Sequence, residues 1–178
     1  MGIMGVLFNP NGRIRANQFW QGVIVLIALQ IFIQLGWGYV SSWFILAFFF
    51  LVFPYLCVYG KRLHDSGKTA WLFLAFLIGA LVLSQVIGMF TAGFSNVDQA
   101  EFQEKMTILT EEENIGGMFA LMQEAVRADM LLSFVTIIAN NVIVGFFCAR
   151  LWSDPYPNAY GDPVGGYVAD EDEDDFLT

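Results

Sequence analysis

No residue from position 16 to position 60 carries a charge, and the stretch is dense in Ile, Leu, Val, Phe and Trp. A soluble domain cannot hide that much apolar chain, whereas a helix crossing hydrocarbon needs about 20 such residues in a row. Two more charge-free windows, Thr69 to Val97 and Met130 to Ala149, meet the same length condition. Residues in the hydrophobic classes make up 57% of the 178 positions and charged ones 14%, a balance that suits a chain with lipid as part of its solvent. The expected fold is all-α: an integral membrane bundle of four transmembrane helices.

The spans read as about 19–40, 43–59, 71–90 and 130–152, within a transmembrane domain of 19–152. Residues 1–18 form an N-terminal cytoplasmic or interfacial lead with a turn at Asn9-Pro10-Asn11-Gly12. That turn interrupts the lead too early for a cleavable signal peptide, so the first span is expected to persist. Gly36, Gly38, Ser41 and Ser42 predict a tight reversal between spans one and two, and Pro54 predicts a bend in the second. Gly60 to Lys68 reads as a polar turn before the third span. Residues 91–129 form an acidic extracytoplasmic insert, and 153–178 a Pro/Gly-rich cytoplasmic tail closing on an acidic run, Asp170 to Asp175, expected to be disordered.

Charge placement orients the chain. If spans alternate, Arg13, Arg15, Lys61, Arg62, Lys68 and Arg150 fall on one side and Lys105 and Arg127 on the other, which predicts N-in, C-in by the positive-inside rule. The net charge of −9 is local, with eight acidic residues between Asp98 and Asp129 and six in the run Asp170 to Asp175. Nucleic acid is not expected as a partner, since phosphate binding needs clustered Lys and Arg and the whole chain holds eight. Cys57 and Cys148 lie in apolar windows without metal-ligand spacing and read as packing residues; neither a metal nor a cofactor is expected.

Amides inside the spans need partners. Gln30 and Gln34 share one face of the first helix, Gln85 sits in the third beside Ser84, and Asn140 and Asn141 lie mid-way along the fourth. These residues are expected to bond across helices as intramembrane packing contacts, or alternatively to line a polar route for a small solute in a channel or transporter subunit. No ionisable residue falls deep in a span, which argues against a stand-alone pump. In the insert, Phe102, Met106 and Leu109, then Met118 and Met122, recur at helical spacing with Gly116-Gly117 between them. They predict two short amphipathic helices that dock a partner or cap the protein's own helix ends.

The densest polar constellation is Lys61, Arg62, His64, Asp65 and Lys68, followed by Trp71. Neighbouring His64 and Asp65 would not face each other on a helix, and no second ligand or nucleophile accompanies them, so no catalytic residue is assigned and the protein is read as a non-enzyme. With Arg13 and Arg15, these residues are expected to anchor the chain on anionic headgroups, while Asp65 or Ser66 caps the next helix.

Three groups of residues carry a resemblance: Gly12-Arg13-Ile14 with Phe19-Trp20; Arg62-Leu63-His64-Asp65-Ser66-Gly67-Lys68 with Trp71; and Asn158 with Tyr160-Gly161 and Pro163. Together they resemble the signatures of the bacterial inner-membrane family called domain of unknown function 805, over Gly12 to Pro163. The resemblance implies a small multi-pass inner-membrane protein without an established activity. The expected role is an accessory or scaffold subunit of a larger membrane protein complex, or a homo-oligomer, in contact with membrane lipids including anionic headgroups.

Overall fold

The computed structural model describes residues 2–164. Seven α-helices follow in order: α1 Ile3–Phe8, α2 Ala16–Tyr39, α3 Ala47–Asp65, α4 Phe73–Thr91, α5 Gln99–Glu111, α6 Ile115–Ala128 and α7 Met130–Ala149. No strand occurs among the described residues, so the all-α class holds. With their 3-10 extensions, four helical stretches are long and apolar enough to cross a membrane: Ala16–Tyr39, Ser42–Asp65, Ala70–Phe94 and Met130–Ala149. In such helices the backbone satisfies its own hydrogen bonds, the condition for passing through lipid.

Helix α2 is the axis of the bundle. It packs against α3 on one side and α7 on another, and α4 lies against α7 at the periphery. In the most apolar window of α4 only 6% is buried, against 39% in α2. The buried core gathers toward the end where α2 begins and α3 and α7 finish, around Ile14, Phe19, Val23, Val58, Leu63 and Cys148. Tyr59 is its aromatic hub, edge-on to Phe19 at 5.1 Å and tilted against Phe73 and Phe76 at 5.9 and 6.0 Å. Cys57 and Cys148 are fully buried free thiols.

Small residues bring the helix axes together. A Cβ at Gly22 would lie 3.0 Å from Val58, and one at Gly145 would lie 3.2 Å from the Trp20 ring. Close approach of this kind replaces the hydrophobic drive that lipid removes. Gly36 and Gly38 do not make the expected reversal: α2 runs through them to Tyr39, and the bare backbone of Gly36 receives the Phe44 ring instead. The connection is a 3-10 turn, Ser42–Leu46, capped by Ser41.

Three further expectations change. The lead is not a plain turn, because Val6 and Leu7 of α1 are apolar enough to bury against the core. Gly60 to Asp65 is not a loop but the last turns of α3, which continues past Pro54 and ends at Asp65, with Ser66 as its cap and Gly67 at φ +69°. The break in the insert falls at Glu112–Asn114, with Glu113 at φ 53° and Asn114 capping Gly117, so Gly116 and Gly117 open α6 rather than separate two helices.

The insert folds back on the bundle. Its two ends are pinned where Ser95 donates to Asp129 at 2.5 Å and the Asn96 amide donates to the other carboxylate oxygen at 2.7 Å. Gln123 Nε2 donates to the Trp37 carbonyl at 2.6 Å, and Arg127 donates to the Gly38 carbonyl. Thus α6 satisfies carbonyls that the end of α2 leaves open.

If Gly36 is needed for space, Gly36→Ala should destabilise the protein by about 1–3 kcal/mol through overpacking, while Gly79→Ala, which meets nothing within 4 Å, should not. Thermal unfolding of both variants in detergent checks this; equal melting temperatures would contradict the packing account.

Candidate functional site

The ends of α3 and α7 meet the N-terminal lead and the stretch after α7 in a buried cluster of charge. Asp65 is its centre and is 2% exposed. Its Oδ1 accepts from Arg13 Nε at 3.3 Å, and its Oδ2 accepts from Arg62 Nη1 at 2.5 Å and from the Ser153 hydroxyl at 2.6 Å. Arg62 lies three residues before Asp65 on α3, so one helical turn sets that pair. Arg13 and Ser153 arrive from opposite ends of the chain.

Neither guanidinium stops at the carboxylate. Arg62 Nη2 donates to the carbonyls of Ala149 at 2.9 Å and Leu151, the open end of α7. Arg13 donates to the Asp65 carbonyl at 3.2 Å, to Asp154 O, and to Tyr156 O at 2.9 Å. The Asp65 carbonyl also accepts the Asp154 amide at 2.7 Å. Two cations facing one carboxylate would leave a buried excess charge, but a helix C-terminus carries about half a negative charge. The ends of α3 and α7 therefore bring the cluster close to balance, and this is why a basic pair is tolerated where burial would otherwise be severe.

Around this core the remaining motif residues hold the chain past α7. The imidazole of His64 stacks on Tyr160 with ring centroids 3.8 Å apart and planes 4° from parallel, and its Nδ1 lies 3.2 Å from the Gly12 carbonyl. Asn158 Nδ2 donates to the His64 carbonyl at 3.2 Å and to Asp154 Oδ2 at 3.0 Å. Asn158 and Gly161 exchange backbone hydrogen bonds of 3.2 and 3.0 Å to close a turn. Hydrogen bonds from the Asn158 side chain and the Tyr156 amide hold the Asp154 carboxyl below its ordinary range. A depressed carboxyl contributes stability above its unfolded pKa and loses it as pH falls through the folded one, so this turn should loosen only in acid. Lys61 is fully buried and donates to the Gly5 carbonyl, tying α1 to α3.

Sequence reasoning brought these residues together correctly as a motif but placed them outward. Arg13, Lys61, Arg62, His64 and Asp65 are all buried, with donors directed to carbonyls and to one carboxylate, so they do not form a surface for headgroups. Asp65 does not cap the next helix either; Thr69 does, accepting from the Trp71 amide. Arg15, Lys68 and Trp71 stay exposed, Trp71 at 77%. Residues 153–164 are ordered on the cluster rather than loose, because Ser153, Asp154 and Asn158 satisfy open polar groups there; the acidic run from Asp170 lies outside the described residues. Ser153 and Asp154 carried no signal in the sequence, since a serine and an aspartate after a helix suit any turn.

The amides divide. Asn141 joins α7 to two neighbours: its Oδ1 accepts from the Tyr55 hydroxyl at 2.6 Å and its Nδ2 donates to Gln30 Oε1 at 2.7 Å. Gln85 is exposed on α4, and Gln34 borders a separate recess beside Asp129 and Ser133, so the amides do not share one route. Phe102, Met106, Leu109, Met118 and Met122 are half-buried in the α5–α6 pair. Among the described residues no group of three His, Cys, Asp or Glu could hold a metal.

A family model described as "Protein of unknown function (DUF805)" matches residues 7–162. The chain belongs to that family. The match begins at Leu7, a buried residue of α1, and ends at Asp162, just beyond the turn that Asn158 closes, so this DUF805 protein carries the Asp65 cluster inside the family region. No curated protein and no solved structure matches the chain.

If His64 works by stacking, His64→Phe should retain near-parental stability while His64→Ala loses it. Asp65→Asn should cost about 3–5 kcal/mol, because both guanidiniums remain buried without their anion. Unfolding midpoints, with limited proteolysis after residue 150 as the readout of the released chain end, check both.

Proposed function

We propose that this DUF805 protein is a non-enzymatic accessory or scaffold subunit of a larger membrane protein assembly, seated in a bacterial inner membrane with the N-terminal lead and the chain after α7 both cytoplasmic. The observation that carries the reading is the inward use of the motif. Arg13, Arg62, Asp65 and His64 are engaged with each other, with helix ends and with the chain after α7, and among the described residues no metal-ligating group of three accompanies them. Groups arranged that way hold a shape. A protein whose richest chemistry maintains shape acts through its surfaces.

The surface best suited to a partner is the outward side of α4, with Ile78, Val82 and Val86 exposed and Gly79 and Gly88 bare. Small residues admit a neighbouring helix at short distance, and in this reading the neighbour is a transmembrane helix of a different protein. The orientation is supported by Arg13, Arg15, Lys61, Arg62, Lys68 and Arg150 gathering at the cluster end of the bundle while Lys105 and Arg127 lie at the insert end. In this arrangement the insert is extracytoplasmic.

Photo-crosslinking residues at Ile78 and Val82, with exposed Ile24 on α2 as control, test the proposal in native membranes. A discrete heavier adduct containing another polypeptide, obtained from α4 and not from Ile24, is expected. Adducts with lipid alone, or only with a second copy of this chain, would overturn it.

A further inference from the structure

Helix α4 holds three polar side chains among its apolar ones: Ser84, Gln85 and Thr91. Two of them are answered within the helix. The Ser84 hydroxyl donates to the Leu81 carbonyl at 2.7 Å, and the Thr91 hydroxyl to the Ile87 and Gly88 carbonyls at 3.0 and 3.2 Å. Gln85 is exposed, and among the described residues nothing bonds to its side chain. Its amide therefore stands on the outside of the bundle with two donors and an acceptor open.

Neither water nor lipid answers it. Gln85 lies six residues before the end of α4 at Thr91, about 9 Å along the axis, too deep for a side chain this short to snorkel to the surface as Lys or Arg does. The acyl chains around it carry no hydrogen-bonding group, and an unpaired amide there costs more than the same group in water. Its place on the helix matters as well. Ile78, Val82, Gln85 and Met89 follow at spacings of four, three and four, and all four are exposed, which is the seam that one helix presents to another. Gln85 thus lies inside the face proposed above for docking, not beside it.

We infer that the transmembrane helix received by α4 presents a side-chain amide, Asn or Gln, at the depth of Gln85, and that reciprocal amide hydrogen bonds there set the register of the pair. This rests on the reading of α4 as the docking face and names the chemistry of what docks. A Ser or Thr answers only half of Gln85, because a hydroxyl on a helix turns onto its own carbonyls, as Ser84 and Thr91 do here, and is left only to accept. An ionised side chain is too costly at this depth. An amide donates and accepts at once, and a lone polar position in an apolar seam fixes which residues face each other.

The test places photo-crosslinking residues at Val82 and Met89, which flank Gln85 on the seam, in the full chain in native membranes, and sequences the adduct peptides. Both should map to one transmembrane segment of another polypeptide, with an Asn or Gln between the two attachment points. Gln85→Leu should lower the adduct yield about 3- to 10-fold, and replacing the partner's amide by Leu should lower it as much in the parent but no further in Gln85→Leu. Because no hydrogen bond holds Gln85 to its own chain, Gln85→Leu should melt in detergent as the parent does, so that a lost yield reports docking; the sequencing depends on no variant. A partner segment without an amide, an undiminished yield in Gln85→Leu, or additive losses would overturn the inference and leave the docking reading standing. Absence of any adduct with another polypeptide in the parent would overturn both.

Discussion

One carboxylate organises the polar end of this protein. Asp65 ends α3 with its side chain toward Arg13 and Arg62 and its carbonyl toward Arg13 and the Asp154 amide. The lead through Arg13 and the chain after α7 through Ser153 and Asp154 are tied to this residue, while α1 is held to α3 by Lys61. The arrangement works because two helix C-termini converge there. Their carbonyls need donors, two guanidiniums supply them, and Asp65 offsets the remaining charge. Removing one member would leave the others buried without compensation, so the cluster behaves as a unit.

The consequences reach the apolar part. Because the cluster fixes the ends of α3 and α7 beside the start of α2, the tightest packing lies immediately below it, where Phe19, Tyr59 and Leu63 meet. Away from that end the contacts are looser: α4 leans mainly on α7 and only sparsely on α3, and the gap between α3 and α4 remains as a cavity. The molecule is therefore firm at one end and open at its middle. Lipid tolerates this, because apolar side chains facing hydrocarbon lose nothing by staying exposed.

The two polar layers differ in kind. At the cluster end, charge is matched by charge and by carbonyls, with Arg62 Nε left as an unpartnered buried donor among the described residues. At mid-depth, the Tyr55–Asn141–Gln30 chain is neutral and closed, and the Asn140 carbonyl oxygen beside it is enclosed without a partner. The first layer explains a motif spread over three distant stretches of sequence.

Much of the architecture was legible in the residues. Charge-free windows mark the four apolar helices because hydrocarbon imposes a length and forbids charge, and the helical recurrence of Phe102, Met106 and Leu109 marks α5. The motif at Arg62 to Lys68 was legible as a unit as well. What no window of sequence could decide is direction. Read locally, Gly60 to Asp65 is a polar turn and Arg13 a surface cation, since a cation near an apolar stretch ordinarily seeks water. Tertiary structure reversed both, because partners for those charges exist only when residues 13, 65 and 153 meet, and their sequence separation hides that meeting. The same holds for the glycines: composition suggests a turn at Gly36, whereas the Phe44 ring arriving from the next segment makes it a packing site inside a helix. Sequence alone determined that the chain has a lipid-compatible helical body, because that follows from the solvation of each stretch by itself; which polar groups are shared, and where a space is left, came from the folded arrangement.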